Sequence, residues 1–254
     1  MTQAEKAATF AALHVPGSPL VIYNIWDAGS ARAVAGAGAK ALATGSWSVA
    51  EAQGYADGEQ IPLEVLLQIA TRIVSSTDLP VSIDFEGGYT VDPEPLAANI
   101  AGLIETGAIG INFEDQIVGG SGLHAIETQV ARIKAIRTAA LDAGVPLFIN
   151  ARTDLFLKSK PDAHDVHIAE ALDRAAAYAE AGASGFFVPG LADYGMIERV
   201  CRDSPLPVNV MMRGKLSSVA QVAALGVARA SYGPGPFATA MKQVGEGFAG
   251  AAGS

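Results

Sequence analysis

The sequence predicts a (β/α)8 barrel, and three observations carry that expectation. Helical and strand patterns alternate from one end of the 254-residue chain to the other. Strand candidates number about eight and recur every 20–40 residues or so, roughly the size of one βα unit. Glycine repeatedly separates a helical pattern from the strand that follows it. Such alternation calls for parallel strands joined by crossover helices.

The apolar, β-branched runs fall at residues 20–23, 40–44, 80–83, 109–113, 147–150, 185–188, 207–210 and 228–232. Between them lie Ala-rich amphipathic stretches at 30–37, 62–75, 93–106, 128–143, 163–181, 194–201 and 217–225. Gly38, Gly107, Gly144, Gly182 and Gly226 each sit where a helix gives way to a strand. Lacking a Cβ, glycine takes the left-handed backbone of a helix C-cap without penalty. The alternative, an open doubly wound sheet, needs a phosphate-binding glycine turn directly after a strand. Gly36-Ala37-Gly38 instead precedes a strand and reads as a cap. We therefore expect one barrel domain over residues 1–244 and a flexible Gly/Ala tail at 245–254.

Half of the residues are hydrophobic, enough for a sizeable core. There is no uninterrupted apolar run of about eighteen residues, so no membrane span is expected. The first ten residues include Glu5 and Lys6 and do not read as a secretory signal. Cys201 is the sole cysteine, which excludes an internal disulfide. A cytoplasmic location follows as an expectation. Net charge is −9, with no cluster of lysine or arginine, so a nucleic-acid partner is not expected. An anionic substrate must then be held locally, by a metal or by a few placed cations.

Chemistry concentrates where strands end. Strand three runs into Asp84-Phe85-Glu86-Gly87-Gly88, strand four into Glu114-Asp115, and strand five into Arg152-Thr153-Asp154. Asp84 and Glu86 alternate on one face, and Glu114 ends the neighbouring strand. Carboxylates this close repel one another, and a bound cation relieves that repulsion. Oxygen-only donors select Mg²⁺, Mn²⁺ or Ca²⁺ over zinc. Gly87-Gly88 would leave room for a ligand. Asp57, in Gly54-Tyr55-Ala56-Asp57-Gly58, reads by itself as a turn residue. Arg152 offers a fork for a carboxylate or phosphate, or a structural ion pair, with Asp154 stabilising its loop. Gly45-Ser46-Trp47 after strand two is either an anion-binding nest or a plain turn. Asn209, read as ending strand seven, could orient a substrate oxygen. Gly233-Pro234-Gly235-Pro236 lies where many barrels bind phosphate, but its prolines remove two donors. Lysine is missing from the strand ends, which argues against Schiff-base chemistry. His14, His164 and His167 read as surface residues and Cys201 as packing.

Taken in order and spacing, these segments resemble the isocitrate lyase/phosphoenolpyruvate mutase family over nearly the whole chain. The resemblance rests on residues 24–32, Gly45-Ser46-Trp47, 54–58, 84–89, 110–116 and 150–154. It implies a homo-oligomer, tetramer or dimer, often with the last helix swapped between subunits. It implies Mg²⁺, or Mn²⁺ in its place, held directly at Asp84 and through water at Asp57, Glu86 and Glu114. It assigns a substrate carboxylate to the Gly45-Ser46-Trp47 backbone and an oxyanion to Arg152. The family acts on small α-keto acids and their enolates.

One departure is informative. Family lyases carry a cysteine on the loop after strand four, and mutases a lysine and asparagine. Here that loop reads Ile117-Val118-Gly119-Gly120-Ser121-Gly122-Leu123-His124, leaving His124 and Ser121 to supply a proton. Its glycines suit a lid that closes over substrate. The expected activity is a metal-dependent C–C lyase or decarboxylase acting on a small α-keto or 2-hydroxy acid. The alternatives are P–C chemistry, as a phosphonomutase or phosphonopyruvate hydrolase, and a barrel that binds metal and keto acid without turnover.

Overall fold

The computed structural model describes residues 1–253. All eight expected strands are present: β1 (Leu20–Ile22), β2 (Leu42–Ala43), β3 (Val81–Asp84), β4 (Gly110–Glu114), β5 (Phe148–Arg152), β6 (Gly185–Phe187), β7 (Val208–Met211) and β8 (Arg229–Ser231). They form one parallel sheet in the order β1-β8-β7-β6-β5-β4-β3-β2. β1 and β2 meet across the remaining seam through a bridge between Ile25 and Thr44. There Ile25 N–H donates to Ala43 C=O at 3.0 Å, and Gly45 N–H to Ile25 C=O at 3.3 Å. The sheet is a nearly closed (β/α)8 barrel.

The helices are α1 (Gln3–Ala12), α2 (Ala28–Gly36), α3 (Ser46–Ala52), α4 (Leu63–Val74), α5 (Pro93–Glu105), α6 (Ile126–Asp142), α7 (Leu155–Lys158), α8 (Ile168–Glu180), α9 (Tyr194–Asp203), α10 (Val219–Ala224) and α11 (Gly235–Ala251). A 3₁₀ turn at Pro161–His167 leads into α8. The five glycines expected as helix caps all have positive φ, from 68° to 102°. α4 buries Leu66, Ile69, Ala70 and Ile73, a single stripe at helical spacing that faces the sheet. β3 and β4 are buried along their whole length, as befits strands covered by side chains inside and helices outside. Among the described residues no helix is long and apolar enough to cross a membrane.

Helix α1 was not evident in the sequence and closes the lower end of the barrel. It starts with a capping box, in which Thr2 Oγ1 accepts from Glu5 N–H and Glu5 Oε2 from Thr2 N–H. Its Phe10 is fully buried edge-on to Phe148, the first residue of β5, at 5.2 Å. His14 follows, stacked on the Phe148 ring at 4.1 Å with Nδ1 on Phe10 C=O at 2.8 Å. The surface placement expected for His14 is therefore wrong. Burial, aided by the Arg229 charge, lowers its pKa to about 3, so it packs as a neutral ring. His164 is also buried, edge-on to Phe156, while His167 is half-buried. The ring faces of both buried histidines are apolar, which let them pass as core residues.

Residues 245–251 differ from the flexible tail expected of them. They continue α11, whose first turn is anchored by Phe237 between Trp26 and Trp47 at 5.2 and 5.7 Å. Once a helix is nucleated each further residue adds a hydrogen bond, and that outweighs the glycines here. From Met241 onward α11 is exposed, including Val244 and Phe248. Phe10→Ala should leave a cavity at the barrel base and cost about 3–5 kcal/mol in urea denaturation. A cost within about 0.5 kcal/mol would show that α1 does not plug the barrel.

Candidate active site

The loops after β1, β2 and β8 are tied into one rim by Asn24, and Thr44 joins the end of β3 to it. Asn24 Nδ2 donates to Thr44 C=O at 2.9 Å, and its Oδ1 accepts from Tyr232 and Gly233 N–H at 3.0 and 2.8 Å. Thr44 Oγ1 in turn accepts from Asp84 N–H at 2.8 Å. Asp84 Oδ2 accepts from Ser46 N–H at 2.9 Å, leaving Oδ1 buried without a protein partner. Asn24 was not picked out as a site residue in the sequence. Its only signal there was a place within the motif 24–32.

Gly45-Ser46-Trp47 is neither a nest nor a plain turn. Gly45 is the N-cap of α3, with no side chain to cap it. The first N–H groups of a helix have no partner within it and carry partial positive charge. The Ser46 N–H is spent on Asp84, and those of Trp47 and Ser48 follow it along the rim.

Above this rim lies a cavity of about 550 Å³. Asp57, Asp84, Asn24, Asn112, Ser46 and Arg152 make its polar side. Leu157, Phe187, Pro189, Met211 and Met212 make an apolar wall. Glu86 and Glu114 lie just beneath the polar side. Glu86 is buried and accepts from Glu59 N–H at 2.9 Å. Glu114 Oε2 pairs with Arg152 Nη1 at 2.9 Å, and Glu114 Oε1 accepts from Gln116 at 2.6 Å. Arg152 also grips Asp154 through Nε and Nη2 at 2.5 and 2.9 Å. It thus makes the structural ion pair and also lines the cavity.

The electrostatics show how close these groups are. Glu86 rises to about 8, chiefly through desolvation and then through the charges of Asp84 and Asp57. Desolvation also raises Glu114, to about 7, against the pull of Arg152. Asp57 rises for the same reason, with Asp84 adding to it. Burial alone would lower Arg152, but Glu114 and Asp154 hold it above its ordinary value. The backbone is strained as well. Glu59, Glu86 and Tyr89 all have positive φ, at 59°, 49° and 65°. Non-glycine residues held there cost on the order of 1–3 kcal/mol each and cluster at functional sites.

Among the described residues no three His, Cys, Asp or Glu groups stand close enough to cage a metal directly. The donors instead suit a cation that keeps most of its water. Asp84 Oδ1 would be free to bind such a cation, with the carboxylates of Asp57, Glu86 and Glu114 near enough to feel the charge of Asp84. Keeping most of its water is the habit of Mg²⁺, which dehydrates reluctantly.

Three expectations are corrected here. Gly87-Gly88 does not leave room for a ligand. A Cβ on Gly87 would meet Val118 at 2.9 Å, and one on Gly88 would meet Leu96 at 2.4 Å. The glycines let the loop after β4 lie over Glu86. Asn209 is not at the end of its strand, because β7 continues to Met211. Its side chain is buried below the cavity, with neither polar atom partnered among the described residues. Ser121 and His124 do not line the cavity. Their loop folds on itself, with Ile117 N–H on Gly122 C=O at 3.1 Å and a bridge between Gln116 and Leu123. His124 is tethered by its backbone between Asp115 and Arg174. Partial burial, with Arg132 and Arg174 nearby, lowers its pKa.

The sequence also missed what holds the rim from behind. Arg132 of α6 is buried against the Phe113 ring at 4.6 Å and donates to Gly87 and Thr90 C=O. Buried Asp115 accepts from Asp154 N–H, Arg174 and Tyr178 at 3.0, 3.1 and 2.9 Å, joining β4 and β5 to α8.

The raised carboxylates make stability depend on pH. Glu86 and Glu114 bind protons more tightly when folded than when unfolded, so their contribution is complete below about pH 4.5 and fades as pH rises. In EDTA the melting temperature should fall between pH 5 and about 8. Glu86→Gln should flatten that slope, and Mg²⁺ should restore most of the loss at pH 8. A metal-free melting curve that improves steadily to pH 8 would contradict this.

Comparison with known proteins agrees with this arrangement. Residues 10–251 match the family model described as phosphoenolpyruvate phosphomutase. A solved structure from Burkholderia cenocepacia J2315, called a phosphonomutase by provisional designation, superposes with a TM-score of 0.95. It is 48% identical, covering 99% of this chain and 100% of that one. An uncharacterized Mycobacterium tuberculosis protein is 32% identical, over 92% of this chain and 84% of its own. An oxaloacetate decarboxylase of Pseudomonas fluorescens is 28% identical, over 86% of this chain and 75% of its own. The chain belongs to the isocitrate lyase/phosphoenolpyruvate mutase family of enzymes.

Proposed function

We propose that this protein is a Mg²⁺-dependent enzyme that cleaves a C–C bond in a small α-keto acid, most simply by decarboxylation. The observation that carries the reading is the cavity itself. It has a free carboxylate oxygen on Asp84, a shell of further carboxylates, Arg152 and a helix N-terminus, but no His, Lys or Cys in its lining. A retro-aldol lyase must remove a hydroxyl proton, a task that in this lining would fall to Asp57, one of the carboxylates proposed to gather the cation. Loss of carbon dioxide from a β-keto acid needs no base, because the electrons of the broken bond pass straight into the enolate. The decarboxylase relative is 28% identical and supports the same choice.

A divalent cation bound at Asp84 would supply Lewis-acid stabilisation of that enolate. Asp84 is set for this by its bonds to Ser46 and Thr44. The N–H groups of the first turn of α3 hold the substrate carboxylate. Arg152, fixed by Glu114 and Asp154, presents its remaining edge to the developing oxyanion. Leu157, Phe187 and Pro189 limit water on the opposite side. The loop carrying Ser121 and His124 would reach the substrate only by leaving its folded hairpin, so water is the simplest proton source for the enolate.

A second reading, P–C bond chemistry, is favoured by the designation of the 48% identical structure. Phosphonopyruvate followed by phosphorus NMR separates the two. We also infer a homo-oligomer built through α11. Its exposed Met241, Val244 and Phe248 match an uncovered apolar groove beside β1, with Val15, Val21 and Tyr23 exposed.

Incubation with a panel of keto acids and Mg²⁺ should release pyruvate from oxaloacetate and should stop on chelation. Asp84→Ala should lower kcat/KM by at least 10³-fold while the protein stays folded. Turnover that survives both EDTA and Asp84→Ala would rule the assignment out.

A further inference from the structure

We infer that Arg213 is a specificity-determining residue that binds a second anionic group on the substrate, at the far end from the α-keto acid head. This rests on the reading just given and adds the residue that would meet the far end of the substrate. Oxaloacetate and phosphonopyruvate both carry a second anionic group there.

Charge at the cavity leads to this conclusion. Two cations line it, Arg152 and Arg213, together with the carboxylates of Asp57 and Asp84. Arg152 is already matched by Glu114 and Asp154. Arg213 has neither an ion pair nor a side-chain hydrogen bond to any described residue. A site of this sign in a chain of net charge −9 would repel a second negative group unless a free cation met it. The same cavity has an apolar wall of Leu157, Phe187, Pro189, Met211 and Met212. A substrate matching this lining has a polar head, a short carbon body and an anionic end.

The position of Arg213 is set by the backbone rather than left to a loose loop. Met212, just before it, is buried and donates its N–H to Ser231 C=O at 2.7 Å. Leu216, just after, is buried and donates its N–H to Arg213 C=O at 3.1 Å. Tyr194 Oη donates to Lys215 C=O at 3.0 Å. Gly214, with φ at 59°, makes the turn between these anchors, a conformation that side-chain-bearing residues rarely take. The exposed guanidinium is therefore carried on a fixed pedestal at the cavity wall. Its planar fork suits carboxylate and phosphonate alike.

Titration calorimetry with Mg²⁺ tests this on the whole protein. Oxalate reports the head site alone. 2-Oxoglutarate, 2-oxoadipate and phosphonopyruvate add the tail, with 2-oxopentanoate as the uncharged match for 2-oxoglutarate. In the wild type at least one dianion should bind roughly 10-fold or more tighter than 2-oxopentanoate, the scale of a charged hydrogen-bonded pair. Arg213→Gln should erase that preference and leave oxalate affinity within about twofold, while Arg213→Lys should keep part of it. Whether carboxylate or phosphonate is favoured identifies the natural tail. A wild type with no dianion preference, a preference that survives Arg213→Gln, or equal weakening of oxalate overturns the role of Arg213. Failure of oxalate to bind the wild type with Mg²⁺ is a different result. It removes the metal–keto-acid reading and this inference with it.

Discussion

Crowded negative charge at one end of the barrel governs this structure. Asp57, Asp84, Glu86 and Glu114 come from three different βα loops and strand ends, yet each feels at least one of the others. Arg152 is ion-paired within this group, to Glu114, and it is shared with Asp154. The rest of the rim restrains a set of groups that would otherwise move apart. Asn24 links three loops, Ser46 and Thr44 clamp Asp84, and Arg132 holds the Glu86 loop in a strained turn. The energy held there has a purpose only when something positive arrives. That is why the same residues which weaken the empty protein at high pH are the ones proposed to gather a cation.

Much of the fold could be read from the chain. The eight strands announced themselves by apolar runs ending in polar residues, and the helix ends by Gly38, Gly107, Gly144, Gly182 and Gly226. Those signals are local, and local physics suffices for them. Asp84, Glu114 and Arg152 were legible as residues of the barrel mouth for the same reason, whereas Asp57, beyond α3, read only as a turn. A polar residue directly after a buried parallel strand has little choice but to face the mouth of the barrel.

What escaped notice depends on contacts distant in sequence. α1 shows no strong stripe, and its role as a plug appears only when Phe10 meets Phe148, across most of the barrel. α3 is short and has no side-chain cap, so Gly45-Ser46-Trp47 reads as a nest or a turn until Asp84 arrives to accept from Ser46. Gly87 looked like space for a ligand, because nothing in the sequence says that Val118 will occupy it. Arg213 gave no signal at all, since an arginine in a polar loop resembles any solvated charge.

The barrel interior carries the same logic one layer lower. Arg229 is fully buried on β8, its Nε on Ser231 Oγ at 3.0 Å, with both terminal nitrogens unpartnered among the described residues. Asn209 beside it in register, and Ser82 below Asp84, are likewise buried and unsatisfied. Burial lowers Arg229 to about 10, and the nearest opposing influence is the charge of Asp84. A cation left dry and unpaired costs several kcal/mol, so these buried groups weigh against the stability of the barrel. An ordinary barrel fills these positions with branched aliphatic side chains. Here the floor of the site is polar and positive, lying beneath carboxylates that already repel one another. The arrangement lets the mouth hold more negative charge than Arg152 alone could balance, without supplying a side chain that would occupy the cavity.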